Sequence, residues 1–201
     1  MRKEAFTCFF SAIIAFVVLV SGAQAATVGN EAISRSVGDG FNDFAIVTGG
    51  PIAEAGILTA WETHIRFTEG DNRVGLLLLS SADASSDFVI EAIDIRNVDL
   101  GFNSFTTSIA VEAGWFIGAF MADAKISFDG AGVFPTFATL DEVFISADPA
   151  IGNTVDRRST GNRTYSLSAT IAPVPLPAAF PMLAAALGGL LLLRRRGNRR
   201  A

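Results

Sequence analysis

The chain has one histidine and one cysteine, and these set the limits of its nucleophilic chemistry. His64 sits in WETHIRFT, out of phase with Trp61, Thr63, Ile65 and Phe67. That position reads as a solvated strand histidine rather than a ligand or general base. Cys8 lies in an apolar run near the start and is expected to leave with it, so no Cys–His pair, disulfide or thiolate metal site is expected. No Gly-x-Ser-x-Gly elbow, P-loop or dinucleotide glycine fingerprint occurs. Carboxylates are abundant, so a pair of the glycosidase kind stays open. Glu62 falls on a strand, Glu69 in a turn and Asp141–Glu142 at a helix-like start, and nothing marks two of them as partners. DGFND (39–43) and EGDNR (69–73) offer clustered oxygens of the kind calcium takes. Neither fits an EF-hand loop, and both read as ordinary turns. The expectation is no enzyme, no catalytic residues, no cofactor and no metal.

The elements that hold these residues read as strands. Apolar and polar residues alternate in WETHIRFT, in SFTTSIAVE (Phe105, Thr107, Ile109, Val111), in KISFD (Ile126, Phe128) and in RTYSLSATI (Tyr165, Leu167, Ala169, Ile171). VGLLLL and GWFIGAF are unbroken apolar runs, the pattern of strands covered on both faces. Gly-, Asp- and Asn-rich segments punctuate them at the spacing of a sandwich or barrel. DFVIEAIDIRNVDL admits strand or helical turn, and TLDEVFIS admits a short helix from Thr139. The sequence predicts an all-β exported domain, an antiparallel β-sandwich of jelly-roll-like form, over residues 26–172.

The two ends differ from this middle. Residues 1–25 open with Arg2 and Lys3, continue through a 16-residue run from Ala5 to Val20, and close on Ala23-Gln24-Ala25. This is the basic, apolar and Ala-x-Ala order of a signal peptide, with Ala23 and Ala25 as the signal-peptidase site. Between the ends, residues 26–173 carry 8 Lys/Arg against 19 Asp/Glu, a net of −11. A field of that sign argues against a phosphate-backbone partner, so no nucleic acid is expected.

At the other end the order is Pro173 and VPLPA (173–178), then the uncharged segment 179–193, then RRRGNRRA (194–201). The three prolines at 173, 175 and 177 favour an extended, stalk-like backbone. A helix over 178–193 would be about 24 Å long, a little short of a bilayer core, with arginines to hold its cytoplasmic end. Val174, Pro175, Leu176, Pro177 and Ala178, the apolar helix, and Arg194, Arg195 and Arg196 together resemble the VPLPA-CTERM variant of the PEP-CTERM sorting signals of Gram-negative bacteria. The resemblance implies recognition by an exosortase-type membrane protease. It further implies a precursor held transiently in the inner membrane and delivery to the cell surface or an extracellular polysaccharide matrix. For the domain itself the leading expectation is a structural or surface-associated role. The alternatives are a carbohydrate-binding β-sandwich using Trp61 or Trp115, and a secreted hydrolase using unmarked carboxylates.

Overall fold

β-branched and aromatic residues in short alternating runs favour extended backbone, and among the described residues the chain is all-β, without a helix. The computed structural model describes residues 24–174 apart from 40–42, 71, 84–85, 131, 133–136, 140–147 and 157–160, with backbone alone for 137–139. The expected signal segment up to Ala23, Pro175 to Ala178, the stretch expected to form a tail helix, Arg194 to Arg196 and most of TLDEVFIS lie outside the described residues. Ala25–Pro173 forms one unit of dense internal contact.

Two antiparallel sheets account for the strands. The first contains β1 (Ala26–Gly29), β2 (Val37–Gly38), β4 (Gly56–Thr68), β7 (Gly101–Val111), β9 (Ala124–Asp129), β12 (Thr164–Tyr165) and β13 (Leu167–Pro173). Its order is β1–β13–β4–β9–β12, with β2 against β9. Residues 56–63 of β4 pair with both β13 and β7, which therefore lie on opposite flanks. The second sheet contains β3 (Phe44–Thr48), β5 (Arg73–Ser80), β6 (Phe88–Asn97), β8 (Phe116–Met121), β10 (Phe137–Thr139) and β11 (Thr154–Val155), in the order β10–β3–β8–β5–β6–β11. DFVIEAIDIRNVDL is thus resolved as strand: β6 pairs with β5 along its length, with a bulge at Glu91.

The main core draws on both sheets, with Ile46, Leu58, Trp61, Leu76, Ile117, Ile126 and Leu167 among its buried residues. The unbroken apolar runs are explained by a second cluster on the other face of the second sheet. There Leu77, Leu79, Phe120 and Val155 are buried while Leu76, Leu78 and Ala119 face the main core. β8 is tightly flanked: a Cβ at Gly118 would collide with the Ile46 carbonyl of β3, so only glycine fits. KISFD departs from its expected pattern, since Lys125 and Ser127 on the polar side are as buried as Ile126. RTYSLSATI is likewise split by a bend at Ser166, and Ser166 and Ser168 are buried alongside the apolar set.

Candidate functional site

Loops at one end of the unit bring together the two acidic segments marked in the sequence. The Glu69 amide donates to Asp123 O (3.1 Å) and the Asp43 amide to Ala122 O (3.4 Å). Asp43 adopts φ 52°, a left-handed conformation that Asp tolerates better than most residues. Lys125, fully buried, stands among these carboxylates and donates to Ala122 O at 2.5 Å. Burial lowers the pKa of this ammonium, and the charges of Asp123, Glu69, Asp43 and Asp39 oppose that shift. Among the described residues no three His, Cys, Asp or Glu side chains are grouped to hold a metal ion.

Next to this end, β4 exchanges one neighbour for another. Its residues 56–63 pair with β13 and its last residues with β9, with Arg66 bulged out. Main-chain bonds persist across the change, from the His64 amide to Ser166 O and from the Ser166 amide to Ser127 O, and side-chain hydroxyls add to them. Thr63 Oγ1 donates to Ser166 O (2.9 Å), and Ser166 Oγ donates to Ile33 O (2.6 Å). Ser127 Oγ lies within hydrogen-bond reach of Ile33 O, Ser166 Oγ and His64 Nδ1, the last at 3.3 Å. His64 is consequently half-buried and tied to Ser127, a correction to its reading as a solvated side chain. The Ser127–His64 contact has the residue types of a nucleophile and base. Both serines are sealed from solvent, however, and their bonds hold strands together.

A third cluster closes the same region. Tyr165 OH donates a short hydrogen bond to Asp39 Oδ2, and Arg163 Nη1 donates to Asp39 Oδ1 at 2.8 Å and to the tyrosine oxygen at 3.1 Å. The guanidinium also stacks 4.7 Å from the Phe128 ring centroid. Burial first, then the charge and hydrogen bond of Asp39, push the Tyr165 phenol far above its ordinary 10.0, while Arg163 pulls it down. Asp39 lies well over a hundred positions from both partners, so no local spacing could have disclosed the cluster.

The residues singled out from the sequence are dispersed. Trp61 is fully buried, tilted against Phe105 at 4.6 Å, and donates from Nε1 to Asp94 Oδ2 at 2.9 Å. Trp115 is half-buried and packs on the main core. Neither forms an exposed platform of the sort a sugar ring stacks on. Glu62 accepts from Ser104 (3.4 Å), apart from the Lys125 cluster to which Glu69 belongs. Asp141 and Glu142 lie outside the described residues. Of the positions expected to be processed, Ala25 and Val174 are described, and both are exposed. No protein-family model, curated protein or solved structure matches the chain.

Proposed function

We propose that the chain is an exported cell-surface or extracellular-matrix protein whose C-terminus is a VPLPA-CTERM sorting signal. On this reading a β-sandwich of jelly-roll-like form is carried between an N-terminal signal helix and a C-terminal transmembrane helix. Signal peptidase cuts after Ala25. An exosortase-type protease acts at Val174 to Ala178 once the helix and Arg194 to Arg196 have held the precursor in the inner membrane. The released domain then serves a structural or surface role, in contact with extracellular polysaccharide. The observation that carries this reading is the tail's three parts in one order: proline motif, uncharged segment, arginine cluster.

The placing of the domain's ends supports it. β1 begins at Ala26, directly after the expected cut, and β13 ends at Pro173, directly before the motif. The two strands are antiparallel neighbours with Ala26 opposite Ile171, so the chain enters and leaves the sheet side by side. That arrangement suits a precursor tethered by both ends to one membrane. Neither cut would remove a paired residue of β1 or β13.

Replacing Pro175 and Pro177 by alanine leaves the apolar segment intact, so insertion should persist while full-length precursor accumulates in the membrane fraction. Mass spectrometry of the wild-type surface protein should find a C-terminus within or beside residues 174–178. Surface protein that retains Arg194 to Arg196 would make the tail a permanent anchor and defeat the reading.

A further inference from the structure

Most sheet edges in this fold are short. β1, β2, β10, β11 and β12 run two to four residues. β7 runs eleven, and among the described residues it pairs with β4 alone. Its sequence, GFNSFTTSIAV, holds no charge and no proline, the two commonest devices that blunt an edge. The partly open flank of β6, by contrast, carries Glu91, Asp94 and Arg96. A long uncharged edge is a template for another strand, and a two-fold antiparallel pairing requires only this one surface on each copy. The net −11 over residues 26–173 sets two copies against each other; β7 itself carries no charge, and the Glu62 carboxylate of β4 lies beside it, accepting from Ser104 at 3.4 Å. Leu100 and Phe102, 65% and 58% exposed, add apolar surface where the strand begins.

One side chain from the other sheet lies against this edge. Arg96 of β6 reaches the Thr106 carbonyl of β7 with Nη2 at 3.4 Å. Asp94 holds the guanidinium with both oxygens, at 2.7 and 3.3 Å, and is itself fixed by Trp61 Nε1. The arginine is thus anchored to the main core and set against the middle of β7. Just beyond, Thr107 and Ser108 together oppose Thr59, a bulge that ends the regular run at Thr106.

We propose that the free edge of β7 is a strand-pairing surface for a second copy of this chain, and that Arg96 keeps it closed. With the guanidinium in place, a second strand must displace a charged group already bonded to carboxylate and carbonyl. Without it, Gly101–Thr106 presents a regular edge, and pairing centred on Ser104 sets Phe102 of one copy beside Thr106 of the other.

Disulfide trapping in the full-length protein in its own membranes tests this, with Ser104→Cys as the probe and Cys8→Ala removing the other thiol. Two cysteines at that centre would face each other across the pairing at bonding distance. With Arg96 intact the covalent dimer should be scarce, and Arg96→Ala should raise its fraction about tenfold, the loss expected for one charge-assisted bond. Adding Thr106→Lys should return it to the starting level. Arg96→Lys should stay near wild type. If limited proteolysis shows Arg96→Ala unfolded, Asp94→Asn loosens the guanidinium while leaving Trp61 an acceptor, and the same rise is expected. Abundant dimer with Arg96 present, or no rise in either folded variant, overturns the proposal.

Discussion

The core between the sheets and the cluster around β9 are equally closed to water but are built from different materials. Between the sheets Ile46, Leu58, Leu76, Ile117 and Leu167 meet through apolar surface. Around β9 the buried polar groups are Lys125, Ser127, Ser166, Asp39 and the hydroxyl of Tyr165, whose ring belongs to the core. Apolar burial is strong and has no direction, so it rewards any register that keeps the same face inward. Hydroxyls and charges need particular partners at particular distances, and a buried bond left unmade costs more than a made one contributes. The directional groups are concentrated where β4 passes from β13 to β9, which is where the main-chain ladder cannot dictate register alone. The apolar layer supplies stability, and the polar cluster selects one arrangement of strands.

Removing apolar bulk should therefore have the largest effect. Trp61→Ala deletes the largest fully buried side chain of the core and takes the Nε1 donor from Asp94, which keeps Arg96. Chemical denaturation should show a loss of about 3–5 kcal/mol, with hydrogen-exchange protection falling across both sheets. Asp39→Ala should cost less, about 2 kcal/mol, because Arg163 remains partly hydrated once its partner is gone. Its signature should be local: amides of β12, β2 and Ser166 lose protection while β5 and β8 keep theirs. A uniform loss in both variants would erase the distinction drawn between the two regions.

The same distinction explains what could be read from the sequence. Alternation in WETHIRFT, SFTTSIAVE and RTYSLSATI located β4, β7 and β12–β13, and unbroken runs located β5 and β8. Periodicity reports which face is apolar, and in those strands apolar burial governs. It failed for Lys125, Ser127, Ser166 and His64, because a polar residue placed opposite an apolar one reads as solvated whether or not a second layer covers it. DGFND and EGDNR were recognisable as clustered oxygens, yet their shared counter-charge, Lys125, lies over fifty positions from either. Asp94–Arg96 and Arg163–Tyr165 are pairs two positions apart on a strand, but the Asp39 and Trp61 links that complete each group are tertiary contacts that no spacing encodes.

Alkaline titration probes the polar region by itself. The Tyr165 phenol is held protonated well above its ordinary 10.0. In the unfolded chain it ionises near 10, so above that pH the folded state binds more protons and stability falls as pH rises. Below 10 its contribution is fully present. Lys125 works in the opposite sense: its lowered pKa makes stability rise as pH climbs toward its ordinary 10.5. The Tyr165 part is isolated by comparing wild type with Tyr165→Phe, since Lys125 is common to both. Melting temperatures between about pH 9 and 12 should fall more steeply for wild type. Parallel curves would mean that the phenol ionises as freely in the fold as outside it.

The smallest expected effect falls on His64, and it decides whether the polar cluster reaches the surface of β4. As a solvated strand residue it would tolerate alanine with a change under about 0.5 kcal/mol. Its Nδ1 instead lies 3.3 Å from Ser127 Oγ, a long contact to a hydroxyl that also has Ile33 O and Ser166 Oγ within reach. Since Ser127 keeps those partners, losing the imidazole strands no buried donor, and the cost should be about 0.5–1 kcal/mol. Ser127→Ala removes the hydroxyl common to all three contacts and should cost more than His64→Ala. In the double variant the two losses should fall short of additive by a few tenths of a kcal/mol, because one bond is counted in both. Strict additivity would show that the imidazole and the hydroxyl share no bond. The polar cluster would then end at Ser127, and His64 would return to the solvated reading its place in WETHIRFT first suggested.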